Sequence, residues 1–544
     1  MSCRSISCRS VSWRAWRQLF LALSLLGSLS TVVLSQEDSS APSLADVARR
    51  LRKDTTEEVR MTDADTKKLF DAVDRIFDFA AEDTGMPKHS AVKRRLVSKA
   101  DVENYARGAL AKEEFAQRFA QEELSMKKLG FLPRDFNLKE FLVKSTGQQI
   151  AGYYDFETKT ISLLNWVPPD RQEPILAHEL THALQDQSYD LRKWMKAAVK
   201  PAGNSSKMSD SSNDDGATAR KAVVEGQAMV VYVDYLLAPM GRNLVDTPGL
   251  IYSMEEPAVK AVADSQMLHD APMILRESGT FAYNEGLIFE GELLHKGGRE
   301  MAFAGAFARP PKNSHEVLQP EAYIKAEKLP PLGMPDLKQL LGEQYDVYDS
   351  GGVGQLDVRA LLKQYGERRI ADDVSSAWQG GAYVTFQRRD KNKDKDKAAT
   401  EASATTADLA LLYVSRWTTP QAAERFARFY ISALPQRYQT VTQHSAPSCS
   451  EPKCPVSRTQ IMTEEGPVLV EHWADNSVIV TESFDTTTAA KVHSAVRDGV
   501  AGVRAENSTQ DELGLRLYEI PAFQKFAGEI GVQIVREMMS NSTR

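Results

Sequence analysis

The chain has 544 residues, of which 42% are apolar and 26% are charged, and its formal net charge is -7. This composition is ordinary for a soluble globular protein and excludes a collagen-like or wholly disordered chain. The acidic balance provides no basic field that would attract nucleic acid, so we expect no nucleic-acid partner, and the length predicts about two to four domains.

Residues 1–35 differ in composition from the rest of the chain. Residues 1–18 contain arginines but no acidic residue, and an apolar stretch follows at 19–34, with Val33 and Ser35 as small residues suited to signal-peptidase cleavage. This order predicts a signal peptide over residues 1–35 and an extracytoplasmic protein, either secreted or periplasmic. The alternative is an uncleaved membrane anchor, for which the apolar stretch is short.

Helical periodicity dominates residues 36–130, which we expect to form an N-terminal helical region. One helix is predicted over Thr62–Ala81 and a second from about Asp101 to Leu129. Residues 148–164 instead contain two apolar, β-favouring runs around the turn DFETK, which predicts a β-hairpin. An edge strand can bind an extended peptide by strand addition, so this hairpin favours a protein or peptide substrate.

The next predicted helix carries the sequence HELTH. It covers EPILAHELTHALQDQ, and Pro174 suits its first turn. His178 and His182 are four residues apart, so on a helix both imidazoles lie on one face and can bind one metal ion. Zinc prefers nitrogen and oxygen ligands in tetrahedral geometry, and a catalytic zinc site keeps one position for water. One further protein ligand is therefore expected.

The best candidate for that third ligand is Glu225, on a helix that we predict to begin near Ala217. Its neighbours on this helix are mostly apolar, so the carboxylate points into an otherwise buried surface. A buried charge without a partner is costly, and a metal ion would remove that cost. The sequence therefore predicts one Zn²⁺ per chain, bound by His178, His182 and Glu225.

Four other residues have predicted roles near this metal. Glu179, next to the first ligand, is expected to be the general base. An oxyanion stabiliser is also needed, and Tyr283 and His315 are candidates, with a purely structural role as the alternative for each. Asp186, four residues after His182, is expected either to hydrogen-bond to a ligand histidine or to lie on a solvated helix face.

The character of the chain changes after the prolines at 330–335, where we place a domain boundary. Residues 340–510 are predicted to form a C-terminal α+β domain, with a disordered, charged insert at 389–406 and a helical tail at 511–544. Its predicted elements are a strand, a helix, three strands and a helix at 408–417, 418–434, 459–463, 467–474, 477–484 and 486–500.

Two cysteines follow the predicted signal peptide, Cys449 and Cys454, and four residues separate them. In an exported domain one close pair favours a disulfide, whereas a zinc knuckle would need a second pair.

In these motifs the sequence resembles the gluzincins, which are HExxH metallopeptidases with a downstream glutamate ligand. It is similar above all to a group of secreted bacterial metallopeptidase-like proteins, over roughly residues 130–325. The blocks that carry this resemblance are Tyr153–Asp155, His178–Gln187, Glu225–Ala228, Tyr283–Phe289 and Pro320–Tyr323.

The resemblance implies a zincin-like metallopeptidase domain over residues 131–335, mostly helical with a small β-sheet. The expected fold class is therefore α+β, with the C-terminal α+β domain as a second part. One departure stands out: thermolysin-like gluzincins have an acid four residues after the third ligand, where this chain has Met229.

The predicted function is hydrolysis of peptide bonds by a zinc-activated water, as in a secreted zinc endopeptidase, with Glu179 as general base. The alternative is a non-catalytic, zinc-stabilised binding or assembly protein of the cell envelope. Glu179 favours the enzyme, because a structural zinc site needs no base. Contact with a membrane is expected only through an N-terminal segment that stays uncleaved.

Overall fold

The structure is a computed structural model that describes residues 61–98, 100–101, 113–145, 153–197, 213–252, 270–330, 332, 334–335, 337–366, 368–389, 404–444 and 454–498. These residues belong to one compact unit. Within them, no helix has the length and apolar character needed to cross a membrane. The predicted signal peptide at 1–35, residues 390–403 of the predicted insert and the predicted tail at 511–544 lie outside the described residues.

Helices and β-sheets are both present, which confirms the α+β class. The described helices are α1 (Asp63–Thr84), α2 (Glu113–Leu129), α3 (Leu138–Ser145), α4 (Pro169–Tyr189), α5 (Leu191–Lys196), α6 (Asn213–Leu237), α7 (Gly249–Tyr252), α8 (Met273–Glu300), α9 (Ala306–Ala308), α10 (Ser314–Leu318), α11 (Pro320–Ile324), α12 (Lys338–Leu341), α13 (Gln355–Tyr365), α14 (Arg368–Ser376), α15 (Pro420–Arg437) and α16 (Thr486–Asp498). Turns of 3-10 helix cover Ala238–Met240 and Thr406–Asp408, and a π-helical turn covers Met301–Gly305.

The strands form two sheets. They are β1 (Lys93–Val97), β2 (Tyr153–Asp155), β3 (Thr160–Leu164), β4 (Tyr345–Gly352), β5 (Trp378–Arg388), β6 (Leu409–Trp417), β7 (Val441–His444), β8 (Ser457–Thr463), β9 (Gly466–His472) and β10 (Ser477–Glu482). The small sheet has the order β1-β3-β2, and the large sheet has the order β4-β5-β6-β10-β9-β8-β7.

Helix α1 forms where the first helix was predicted. The Thr62 hydroxyl accepts a hydrogen bond from the Asp65 backbone N–H, and the Asp65 carboxylate accepts one from the Thr62 N–H. This capping box starts the helix, and Gly85 ends it in a left-handed conformation with φ 71°. The apolar face of α1 is buried against α4, so α1 supports the helix that carries the HELTH motif.

The structure describes residues 153–164 of the predicted hairpin, and its two strands belong to the small sheet. Strands β2 and β3 are antiparallel, with Tyr153 opposite Ser162 and Asp155 opposite Thr160. Strand β1, which sequence periodicity did not predict, pairs with the far side of β3 in parallel. As a result, β2 is an edge strand of the small sheet.

Helix α4 begins earlier than predicted. Pro169 occupies its first position, where the missing N–H of proline removes no helical hydrogen bond. The expectation that Pro174 lies in the first turn is therefore wrong, because Pro174 lies inside the helix. The helix continues without a break to Tyr189 and carries both histidines of the motif.

Helix α6 is buried on most of its surface, and the buried residues include polar ones such as Glu225 and Gln227. It packs along α8, and the two backbones approach closely at Gly226 and Gly286. A Cβ atom on Gly226 would lie only 2.4 Å from the carbonyl oxygen of Gly286. Because Gly226 follows Glu225 directly, this glycine contact sets the position of the predicted third ligand.

The large sheet is antiparallel throughout and has more strands than predicted. The predicted strand, helix, three strands and final helix correspond to β6, α15, β8, β9, β10 and α16. Strands β4, β5 and β7 were missed. One face of the sheet packs against α15. Leu129, Phe131 and Ile274, which precede the predicted boundary, belong to the same hydrophobic core. Residues on both sides of the predicted boundary at 330–335 therefore share one hydrophobic core.

Candidate metal centre

Helix α4 places His178 and His182 on one buried face, as their spacing predicts. Their exposed fractions are 6% and 5%. The two rings are nearly perpendicular, with an interplanar angle of 88°. Their Nε2 atoms lie 3.1 Å apart, so both nitrogens point to the same place.

Glu225 reaches the same place from α6. Its Oε2 atom lies 3.2 Å from His178 Nε2 and 3.4 Å from His182 Nε2. The residue is 2% exposed, and Oε2 accepts no hydrogen bond of acceptable geometry in the structure. Among the described residues, these three form the one group of His, Cys, Asp or Glu side chains whose ligand atoms converge closely enough to hold a metal ion. We call His178, His182 and Glu225 the triad.

The distances between the three ligand atoms of the triad can be compared with the corresponding distances in a zinc site. In a tetrahedral site, nitrogen and oxygen atoms bound about 2.0–2.1 Å from one zinc ion lie about 3.3–3.4 Å from each other. The triad forms a triangle with sides of 3.1, 3.2 and 3.4 Å. Two imidazole nitrogens and one buried carboxylate oxygen without a hydrogen-bond donor therefore fit a zinc ion in number, chemistry and spacing.

The electrostatics of the triad couple the carboxylate to the imidazoles. Burial acts to raise the pKa of Glu225, but the charge of His182 and the contacts with both rings outweigh it and lower this pKa well below the usual carboxyl range. Burial acts to lower the pKa of His182, but Glu225 outweighs it and raises this pKa to about 9. The lowered pKa of Glu225 keeps this carboxylate in its anionic form, which is the form that binds a metal ion.

Glu179 lies between the triad and the edge strand β2. Its Oε2 atom accepts a hydrogen bond of 2.9 Å from the backbone N–H of Tyr154. Burial raises the pKa of Glu179, against the opposing effect of the two nearby histidines. A raised pKa suits a carboxylate that takes up a proton during a reaction near neutral pH. The contact also shows that the outer edge of β2 faces the site.

Asp186 is 4% exposed and contacts hairpin residues rather than a ligand histidine, so both expectations for it, a hydrogen bond to a ligand ring and a solvated helix face, are wrong. It accepts a hydrogen bond of 3.0 Å from the Tyr154 hydroxyl and forms an ion pair with Lys159. Both partners are on the β-hairpin, which draws the short Asp186 side chain away from the rings. The partner of His182 is Gln185 instead, whose Oε1 atom lies 2.9 Å from His182 Nδ1.

The two candidates for oxyanion stabilisation lie in different surroundings. The ring of Tyr283, on α8, stacks on His178 with a centroid distance of 6.1 Å and an interplanar angle of 17°. His315 is buried, and its Nδ1 atom lies 2.7 Å from Gln355 Oε1. None of the contacts of His315 with described residues reaches the triad. The structure thus brings Tyr283, but not His315, into contact with a ligand.

Three polar residues near the triad were not predicted. Gln185 and Gln227 hydrogen-bond to each other, and Lys221 lies one helical turn before Glu225. Burial lowers the pKa of Lys221 to about 8, against the opposing charge of Glu225. The four-residue spacing from Glu225 was a signal for Lys221. Gln185 and Gln227 lie on different helices, so no pattern within one helix predicts their contact.

The position where thermolysin-like gluzincins have an acid holds a buried Met229, which is 2% exposed. No carboxylate is therefore available there to hold a ligand histidine. For the predicted disulfide, Cys454 is disulfide-bonded, whereas Cys449 lies outside the described residues.

Comparisons of the chain with protein-family models, with curated proteins and with solved structures gave no match. Any assignment of function therefore depends on the chemistry of the site itself.

Proposed function

We propose that the chain is a zinc-dependent metallopeptidase with a zincin-like domain, in which His178, His182 and Glu225 bind one Zn²⁺. The observation that carries the proposal is the triad, a buried triangle of two nitrogens and one oxygen with sides of 3.1–3.4 Å. Three protein ligands leave one of the four positions of a tetrahedral site open, which is the arrangement of catalytic rather than structural zinc sites.

Zinc at this position would supply Lewis-acid activation of a water molecule and of the scissile carbonyl group. Glu179 is the proposed general base. It follows His178 directly on α4, and the Tyr154 N–H holds one of its oxygens. The other oxygen is then available to take the proton of the attacking water and to deliver it to the leaving amine. Tyr283, stacked on His178, keeps the orientation of that ring.

A protein or peptide is the proposed substrate, because β2 is an edge strand beside Glu179. An extended peptide can add to the edge of a sheet through main-chain hydrogen bonds, and the Tyr154 N–H of this edge already holds Glu179 beside the strand. This would place a peptide bond next to Glu179 and the triad. An extracytoplasmic location, directed by residues 1–35, is part of the same proposal and depends on the composition of that segment alone.

The experiment that tests the proposal combines metal analysis with digestion of a peptide library by the wild-type chain and by Glu179→Gln. We expect about one zinc per chain in both proteins and cleavage by the wild type alone. Glu173→Gln is a matched control on the same helix, because Glu173 pairs with Arg75 at 2.9 Å instead of lying at the triad. This control should keep both zinc and cleavage.

The outcomes separate the enzyme from the alternative of a zinc-stabilised binding protein. Cleavage by Glu179→Gln at the wild-type rate would exclude Glu179 as the base. Bound zinc without cleavage in the wild type would favour a structural metal. A wild-type chain that binds no zinc would contradict the metal centre itself.

A further inference from the structure

We propose that Gln185 and Gln227 are positioning residues for His182, which set its tautomer and tie it to the π-helical turn at Met301–Gly305. The inference rests on the proposed function, since it takes His182 as a zinc ligand. Gln185 is on α4, three residues after His182, and Gln227 is on α6, two residues after Glu225. The pair therefore joins the two helices that carry the triad.

The direction of the hydrogen bonds is set at the far end of this pair. Gln227 Nε2 lies 2.8 Å from the carbonyl oxygen of Ala302 and 3.1 Å from that of Phe303, both in the π-helical turn. A carbonyl oxygen can only accept, so Gln227 Nε2 donates to both. The Oε1 atom of Gln227 is then left as an acceptor.

The same reasoning applies one step closer to the triad. Gln185 Nε2 donates to Gln227 Oε1 at 3.0 Å and to the carbonyl oxygen of Val224 at 3.0 Å. Its Oε1 atom must therefore accept, and it lies 2.9 Å from His182 Nδ1. The proton of a neutral His182 ring is thus on Nδ1. The lone pair is on Nε2, the atom that points to His178 and Glu225.

Because both glutamines are buried, each of these hydrogen bonds is needed. Gln185 and Gln227 are both 0% exposed. If one amide is lost, the polar atoms that it bonded remain buried without a partner, and such atoms are costly. An outer partner that orients a ligand histidine and fixes its tautomer commonly changes metal affinity by about 10- to 100-fold. The π-helical turn supplies the fixed carbonyl oxygens from which the order of donors and acceptors starts.

The test measures zinc affinity of the full chain by competition with a chromogenic chelator, without reference to peptide cleavage. The variants are Gln185→Leu, Gln227→Leu and the double variant. We expect Gln185→Leu to weaken zinc binding by about 10- to 100-fold and Gln227→Leu by a smaller factor. The double variant should bind zinc as weakly as Gln185→Leu alone, because Gln227 acts on His182 only through Gln185.

Gln172→Leu is the matched control. Gln172 is another 0% exposed glutamine on α4, and its amide bonds backbone groups of Leu164 and Val167 rather than a ligand. This variant should lower the melting temperature but leave the zinc affinity of the folded chain unchanged. If it weakens zinc binding as much as Gln185→Leu does, general loosening explains both effects and the inference is overturned.

The remaining outcomes distinguish this inference from the proposed function. Wild-type zinc affinity in Gln185→Leu would overturn the positioning role and leave the metal centre in place. A wild-type chain without zinc would overturn both. If Gln185→Leu does not fold, Gln227→Leu decides the question, because Gln227 lies one hydrogen-bonded residue farther from the His182 ring. Unchanged zinc affinity in Gln227→Leu then overturns the inference, and weaker zinc binding supports it.

Discussion

The described chain contains two buried clusters of histidine and glutamate, and they differ in how their oxygens are occupied. In the triad, Glu225 Oε2 has no hydrogen-bond donor and faces two converging nitrogens. In the large sheet, Glu471 lies 2.9 Å from His493 Nδ1. There, however, Arg458 donates to Glu471 Oε1, and Trp473 donates to Oε2 at 3.0 Å.

Both carboxylate oxygens of the second cluster therefore accept hydrogen bonds, while its His493 Nδ1 atom makes no hydrogen bond of acceptable geometry. Its histidine also contacts Thr481, whose Oγ1 atom lies 3.0 Å from His493 Nε2. Thr481, His493 and Glu471 have the order of a hydroxyl–imidazole–carboxylate triad, yet they are 0%, 1% and 0% exposed. The comparison shows that residue types alone do not make a site. The difference lies in the carboxylates: both oxygens of Glu471 accept hydrogen bonds, whereas the Glu225 oxygen that faces two converging nitrogens accepts none.

The largest expected effects come from replacing the glutamate of each cluster by glutamine. Glu225→Gln should weaken zinc binding by about a thousandfold, because it removes the one anionic ligand. Glu471→Gln should instead cost about 3–5 kcal/mol of unfolding free energy, because it breaks a buried pair from one side. Chelator competition and denaturant titration of both variants measure the two quantities. Equal loss of zinc affinity in the two variants would contradict the distinction.

A smaller effect is expected at the crossing of α6 and α8. Gly226→Ala should cost about 1–3 kcal/mol and weaken zinc binding, since the new Cβ would push α6 away from Gly286 and move Glu225. Gly249→Ala is the control, because a Cβ there meets no atom within 4 Å. It should stay within about 0.5 kcal/mol of the wild type. If both variants are neutral in denaturant titration and zinc binding, the close approach does not position Glu225.

The smallest effect concerns Asp83 and Asp234, a third buried pair that contains two acids. Burial raises the pKa of each, and the charge of Asp83 raises that of Asp234 further. The folded chain then keeps a proton at pH values where the unfolded chain has lost it, so the free energy of unfolding should fall as pH rises above the ordinary carboxyl range. Asp234→Asn should reduce this slope in thermal melts from pH 5 to pH 9, and a slope equal to that of the wild type would count against a raised pKa of Asp234.

Sequence periodicity was sufficient to predict the parts of the site that lie on single helices. Four-residue spacing places His178 and His182 on one face, and an acid in an apolar helix identifies Glu225. The contacts of Gln185 and Gln227 were not predictable, because they depend on how α4, α6 and the π-helical turn pack. Asp186 was misjudged for the same reason, since its partners belong to the hairpin.

The fold was predictable where the local pattern was strong. Strands β6, β8, β9 and β10 are rich in apolar, β-favouring residues and were found near their predicted positions. Strands β4 and β5 were missed because each contains a pair of glycines, and glycine is depleted in strands. These two strands are held by their partners in the sheet and by burial, which a single sequence does not display.

The most direct test of the metal centre is X-ray absorption of the zinc-loaded wild-type chain. We expect one zinc surrounded only by nitrogen and oxygen atoms at about 2.0–2.1 Å, with the outer-shell signal of two imidazole rings. Sulfur at about 2.3 Å would place the zinc on cysteine instead. That result, or a chain that binds no zinc, would contradict the assignment of His178, His182 and Glu225.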